Sequence, residues 1–436
     1  MLDILKPLIL ITIAIFAHKW MWTYSCSKST RLVFWVVFFR FVLASFHEFA
    51  YPQIIGPFSI VSLYSIFVVS FLLLFIISND VQINRNYCFF IISMILVSMV
   101  LAAIINTHYV QSVASIVKWL MLLLLVSLIY DALSKDGVSK VLRSIGFAYL
   151  YPIILMIASV VLGISKATEN DGSVSYVGGF NHEAVFSVII FSGVFVYVMI
   201  GVFERRIKLV LGSMFTLVLL LALINYRTSI LACVGMYMTI ATLLYFRSQL
   251  KNKLIVTLFA VVALGVLVNV DSSAVMERFQ EIPQAINDSA GLTVFPELYD
   301  SDERKYFSGR IYFWSSYIHE ALNGTTLQIL FGHGMDSWKG FFEKYAHNTF
   351  VSFFYELGIV GVILLILFFI MIIMRALYGF DWLAKVFLLG SVVAFVILNL
   401  ATMPLWQIEG VIFLSIIIAL VDLNKKSLVN KESFKL

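Results

Sequence analysis

Long apolar runs, interrupted by short polar or Pro/Gly/Asn-containing breaks, dominate the chain. Thirteen stand out, at 3–18, 32–50, 54–78, 87–106, 110–130, 145–164, 183–202, 208–225, 228–246, 254–270, 348–374, 383–402 and 405–421. They lack the polar/apolar alternation of barrel strands, and a backbone in lipid must satisfy its own hydrogen bonds, so the runs predict helices. The first run is short. Twelve spans plus one re-entrant or interfacial piece is the alternative count. The expected fold is an all-α polytopic membrane protein with about 13 (12–14) transmembrane helices and one large outer loop containing short helices.

The polar positions divide the chain further. Residues 1–270 hold helices 1–10, 271–346 a large loop, 347–421 helices 11–13, and 422–436 a tail. The loop is much longer than an ordinary connection, and loops of that size commonly carry function. Amphipathic patches at 274–287 (broken by Pro283) and 309–322 predict short helices within it. In the second, Ile311, Trp314, Ser315 and Ile318 fall on one face, with Arg310 at its start.

Composition agrees with the pattern. Hydrophobic residues make up 61% and charged residues 13%, which excludes soluble globular, disordered and fibrous classes. Nothing points to nucleic acid. The first 20 residues read as a retained span, because His18-Lys19-Trp20 follows the apolar run and no small-residue cleavage site is visible. Cys26, Cys88 and Cys233 form no CxxC or Cys/His cluster and are expected to be packing residues. Of the 30 Lys and Arg residues, 19 fall in alternate short loops and the C-terminal tail. Only Lys6, Lys166 and Arg227 lie in the opposite short segments. The positive-inside bias places the C-terminus in the cytoplasm and the long loop outside. That loop has 11 acidic and 6 basic residues, so any phosphate binding there must come from particular arginines.

The outer side collects the candidate chemistry. Gly178-Gly179-Phe180-Asn181-His182-Glu183 precedes the seventh run. Asn225-Tyr226-Arg227 lies in a tight turn, and Gly309-Arg310 and Trp314 open the second loop helix. Gly332-His333-Gly334 follows, then Ala346-His347-Asn348 and Tyr355-Glu356-Leu357-Gly358-Ile359-Val360-Gly361. Arg227 reads either as an interfacial anchor or as a phosphate clamp. Arg310 reads as a solvated loop residue or a second clamp. His347 is polar trim or a group placed to accept a proton at physiological pH. Asn348 orients that ring or caps the next helix. Asn181 and His182 cap the seventh span or touch substrate. His319 and His333 read as structural or incidental. Arg40 and Lys118 fall inside spans, where a charge needs a partner or a cavity. Glu356 and Glu409 are candidate partners. No HExxH spacing occurs, so no metal or other cofactor is expected.

The order of Arg227, GR…W, GxG, HN and ELGxxG over roughly residues 175–375 resembles the O-antigen polymerase/O-antigen ligase superfamily of bacterial inner-membrane glycosyltransferases. The resemblance implies undecaprenyl-diphosphate-linked glycans as substrates and a polysaccharide chain-length regulator as a partner, in addition to the lipid bilayer. It implies that Arg227 and Arg310 hold the diphosphate and that His347, with Asn348, serves the acceptor. Asn181, His182, Arg40, Trp314 and Tyr312 are the remaining candidate substrate contacts. Tyr306, Phe307 and Trp338 join Tyr312 and Trp314 as aromatics for sugar stacking. The expected reaction is metal-independent, inverting polymerisation of oligosaccharide repeats at the periplasmic face of the inner membrane. Polymerase is favoured over ligase because the GR…W stretch runs into NGTTLQILFGHG without the Pro often found there. Transfer to lipid A-core by a ligase, and a lipid-linked oligosaccharide transporter, are the competing readings.

Overall fold

The computed structural model describes residues 2–55, 58–79, 81, 87–166, 174–247, 295–300, 304, 309–378 and 381–423. Within them, each described apolar run holds a helix, although the 54–78 run becomes helical only from Ile60: α1 Leu2–Thr23, α2 Lys28–Ser45 with the single turn α3 His47–Ala50, α4 Ile60–Ser78, α5 Tyr87–Asn106, α6 Tyr109–Asp136, α7 Val138–Val161, α8 Glu183–Phe203, α9 Ile207–Ile224 and α10 Arg227–Arg247. After the long connection come two short helices, α11 Arg310–Asn323 and α12 Thr326–Phe331, then α13 Thr349–Leu377, α14 Trp382–Asn399 and α15 Ile408–Val421. A small antiparallel hairpin, β1 Gln53–Ile55 and β2 Phe58–Ser59, joins α3 to α4. The run at 254–270, the patch at 274–287, Tyr306, Phe307 and the tail after 423 lie outside the described residues.

Nine of the described helices are long and apolar enough to cross a membrane. Three basic residues (Lys28, Arg31, Arg40) make α2 more polar, and α15 has only 14 residues. The protein is an all-α, multi-pass membrane protein. Hydroxyl caps set several helix starts: Ser27 accepts from the Thr30 N–H and Ser59 from the Ser62 N–H.

Burial separates core helices from lipid-facing ones. In α8, 83% of the apolar window is buried inside the protein, against 22% in α1 and in α4. Every residue of α15 is buried. A helix that is apolar all round belongs either in a core or in lipid; α8 and α15 fill the first role, and α1 and α4 present most of their surface to lipid. The three cysteines are buried and unbridged, as packing residues should be.

Contacts sort the helix ends into two groups. At one end, the Ser27 N–H donates to Asp136 Oδ2 at 2.8 Å and Arg143 pairs with Glu204 at 2.6 Å. At the other, Tyr176 N–H donates to Leu223 O at 3.0 Å, Asn106 Nδ2 to Gly332 O at 2.9 Å, and Thr349 Oγ1 to Asn399 Oδ1 at 2.7 Å. This second end gathers the starts of α8, α10, α11 and α13, and hence most of the candidate residues.

The apolar helices are stitched together inside by a few paired polar groups. Arg40 of α2 lies 2.7 Å from Glu409 of α15, with side chains only 5% and 1% exposed. A charge at that depth is retained only with such a partner.

The helix α13 is broken at Gly358, whose φ of 66° and ψ of −164° are non-helical. The break frees the carbonyls of Tyr355 and Glu356. His333 N–H donates to Tyr355 O at 2.9 Å and Gly334 N–H to Glu356 O at 3.0 Å. A Cβ at Gly358 would lie 2.4 Å from the Leu330 carbonyl carbon, and one at Gly332 would lie 2.1 Å from that of Glu356. Two glycines therefore permit a backbone-to-backbone dock of the long loop onto α13. The Gly332-His333-Gly334 and Glu356-Leu357-Gly358 motifs build this joint.

Candidate active site

The segment that carries His347 is held by α11. The helix starts with Arg310 directly after Gly309, which is in the left-handed region. Its buried residues are Ser315, Tyr317 and Ala321. Of the face expected from sequence, Ser315 is buried, and Ile311, Trp314 and Ile318 are half-buried. Tyr317 is the anchor. Its ring stacks on Phe342 with centroids 3.9 Å apart, and its hydroxyl donates to Lys344 O at 2.9 Å. The Trp314 indole N–H donates to Ala346 O at 2.8 Å. These two bonds fix the strand of chain leading into His347.

His347 itself has φ 53°, a left-handed backbone that costs a non-glycine residue free energy and recurs at functional positions. Its ring lies 3.9 Å from that of Tyr345. The next residue, Asn348, caps α13: its Oδ1 accepts from Phe350 N at 2.9 Å and Val351 N at 3.3 Å. Of the two roles foreseen for Asn348, capping is the one its oxygen performs.

Electrostatics brings further elements to this point. Burial, then the positive charges of Arg310 and Lys344, then His182, push the His347 imidazole down to about 4. The ring is therefore neutral at physiological pH. Burial first, then Tyr226, pushes the Tyr345 phenol up to about 12; Arg310 opposes that rise and Glu183 adds to it. The start of α8, the turn before α10, the start of α11 and the start of α13 thus face one another around Tyr345 and His347.

The α8 start is built by the loop before it. Lys166 Nζ donates to Asn181 O. His182 is the N-cap: its Nδ1 accepts from Ala184 N at 3.1 Å, which leaves its proton on Nε2 in the neutral ring. Its side chain is half exposed. Glu183, at 3% exposed, is buried beneath it, and Glu183 Oε2 lies 3.5 Å from His182 Nδ1. Across the cluster, Asn225 ends α9 in the left-handed conformation (φ 52°), turning the chain so that Arg227, half-buried, becomes the first residue of α10. Thr402 Oγ1 lies 3.5 Å from Tyr226 Oη, which joins this turn to the connection after α14.

Of the residues singled out from sequence, the structure groups Arg310, His347 and His182. Arg227 adjoins them through Tyr226, Asn181 through His182, and Asn348 through the chain. Arg40 stands apart in its pair with Glu409. Tyr312 sits edge-on to Tyr299 at 5.7 Å, with the Arg304 guanidinium 5.1 Å from its ring centre. Trp314 uses its N–H to hold the backbone. His333 stacks on Tyr355 at 4.7 Å, within the α13 joint, and His319 stacks on Phe295 at 4.6 Å. Sequence reading gave no role to Glu183 or Tyr345, and took Tyr317 only as an aromatic suited to the membrane surface. Glu183 resembles an ordinary acidic residue in a first helical turn, and only its burial marks it out. Among the described residues, no three His, Cys, Asp or Glu side chains are grouped so as to hold a metal ion.

No curated protein matches the chain. Residues 212–366 match the family model described as O-antigen ligase. The match takes in most of α9, then α10, α11, α12 and the first part of α13, and with them Arg227, Arg310, His347 and Asn348; His182 and Glu183 lie before it. The segment that builds most of this cluster is thus the part of this multi-pass membrane protein that is similar to the O-antigen ligase family.

Proposed function

We propose that the protein polymerises undecaprenyl-diphosphate-linked oligosaccharide repeats at the periplasmic face of the bacterial inner membrane. The observation that carries this reading is the meeting of Arg310, His347 and His182, from three separate parts of the chain, at one end of the helix bundle. A guanidinium there can stabilise the charge that grows on a departing diphosphate. Arg310 and Arg227 hold that group, and His347 places the acceptor hydroxyl. Direct attack on the anomeric carbon inverts it. The two arginines do the electrostatic work a metal does elsewhere, so turnover proceeds without one.

The opposite end of the bundle bears Lys28, Arg31, Lys135, Lys140, Arg143, Arg205 and Arg206. By the positive-inside bias that end faces the cytoplasm, as does the C-terminal tail, and the long loop 271–346 faces the periplasm. An anionic group bound beside His347 would offset the field of Arg310 and Lys344 and raise the basicity of the ring. The site would then change its proton affinity when the donor arrives. A polysaccharide chain-length regulator as partner belongs to the same reading.

One observation favours a second reading, transfer of the glycan to lipid A-core: the matching family model is described as O-antigen ligase. Purified protein supplied with lipid-linked repeats separates them. A ladder of chain lengths supports polymerase, and transfer only to added lipid A-core supports ligase. Lipid scrambling with neither product overturns both.

A further inference from the structure

We infer that His182, backed by the buried carboxylate of Glu183, is the group that takes the acceptor's proton. The inference rests on the glycosyl-transfer reading and assigns a role within that site.

The geometry has three parts. Glu183 Oε2 is buried and has no hydrogen-bond partner among the described residues. An orphaned carboxylate oxygen is costly, and the position is retained only if a donor reaches it in some state of the protein. The nearest basic atom is His182 Nδ1, 3.5 Å away. In the neutral ring that nitrogen accepts from the Ala184 N–H and has no proton to offer Glu183. In that tautomer Nε2 already carries the ring proton, so a further proton enters at Nδ1. The ring then carries protons on both nitrogens, and Nδ1–H turns from Ala184 N–H to Glu183 Oε2. The carboxylate finds its partner whenever Nδ1 carries a proton, in the imidazolium and in the Nδ1–H tautomer of the neutral ring. That is the arrangement by which a carboxylate stabilises a histidine as it acts as a base.

For Nε2 to receive a proton in the neutral state, the proton on the ring must first reside on Nδ1, facing Glu183. The carboxylate favours that tautomer, and the half-exposed ring has room to adopt it. The acceptor O–H then gives its proton to Nε2, and the acceptor oxygen forms a bond to the donor anomeric carbon. The bond from that carbon to the diphosphate oxygen breaks, and its electron pair leaves on undecaprenyl diphosphate beside Arg310 and Arg227. Water or buffer later removes the proton from His182.

His347 is less suited to this step. It is flanked by Arg310 and Lys344 and has no carboxylate within ion-pair distance among the described residues. It suits hydrogen bonding to the acceptor or to a phosphate oxygen. The groups facing His182 are Glu183 on its own helix, His347 and, beyond it, Arg310 and Lys344 from the long loop; Lys166 reaches the adjoining Asn181 carbonyl.

The test is chain formation by the full-length protein on lipid-linked repeats across pH, with binding of undecaprenyl diphosphate measured in parallel. His182→Asn keeps a good helix cap for Ala184, so a folded variant is expected. Its transfer rate should fall on the order of a hundredfold while lipid binding changes little. Glu183→Gln should lower the rate and move the acidic limb of the pH profile to lower pH, because the imidazolium loses its stabilising charge; Glu183→Asp should return the limb toward the parent. Transfer within about threefold of the parent for His182→Asn, or an unmoved acidic limb in Glu183→Gln, overturns the assignment. Arg310→Ala is the control on the underlying reading: if it transfers at the parent rate, the glycosyl-transfer site itself is misplaced, whatever the two α8 variants do.

Discussion

The indole N–H of Trp314 donates to the carbonyl of Ala346 at 2.8 Å, one residue before His347. An aromatic residue that reads in the sequence as a platform for sugar is thereby a clamp on the backbone of the site. Together with the Tyr317 hydroxyl on Lys344 O, it couples the start of α11, where Arg310 sits, to the position of the imidazole. Arg310 and His347 are thus parts of one mechanical unit.

Trp314→Phe separates the two roles of that side chain. The ring remains and the donor is lost, at a cost of about 1 kcal/mol for a hydrogen bond. Chain formation is expected to drop about tenfold in folded protein, since a displaced catalytic group loses rate steeply. Sugar stacking alone would leave Trp314→Phe close to the parent.

His347 makes stability pH-dependent. A histidine held below its ordinary value favours the folded protein while neutral. Its contribution is fully present above the unfolded value near 6.5 and is lost as pH falls toward about 4. Thermal unfolding in detergent should show a lower midpoint at pH 4 than at pH 7. The part of that drop due to His347 should vanish in His347→Asn and shrink in Arg310→Met, which removes one of the opposing charges.

The joint between Gly332 and Gly358 is expected to tolerate no side chain. Gly358→Ala would drive a methyl group into the Leu330 backbone and impose a left-handed φ on alanine. Rigid backbone on both sides leaves nothing to give way, so the loss should be about 2–4 kcal/mol. Folded yield and unfolding midpoint measure it. A parent-like Gly358→Ala protein would mean that the loop does not dock there.

Arg40→Met leaves Glu409 buried without its partner and should destabilise the protein by about 3–5 kcal/mol. Adding Glu409→Leu should recover most of that loss. If the pair is purely structural, the double variant makes chains at the parent rate per folded molecule. A folded double variant unable to bind lipid diphosphate would give Arg40 a substrate role after all.

Much of this was legible in the sequence. Apolar runs located the described helices, because length and hydropathy decide what spans a bilayer, but ends were missed by up to seven residues, as at Val138 and Asp136, and the start of the 54–78 run is a hairpin. Arg310 and His347 were singled out by the order of motifs that resembles the superfamily, whereas their approach to each other and to His182 is a property of the fold. The pairing of Arg40 with Glu409 was not, since which of several acids meets a buried arginine depends on how α2 packs on α15. The buried face of α11 shifted from the expected stripe to include Tyr317, because Phe342 and Lys344 of the loop select that face and periodicity cannot foresee them. Glu183 was hidden for a related reason: its burial is a property of the packing around the start of α8, which periodicity does not report.

Chain formation from purified undecaprenyl-diphosphate repeats, by the parent and by Arg310→Ala with a chelator present, tests the central claim most directly. The account predicts a ladder of products from the parent, undiminished by chelation, and almost none from a folded Arg310→Ala protein. A ladder of parent intensity from Arg310→Ala, or no transfer by the parent to any lipid-linked acceptor, would contradict it.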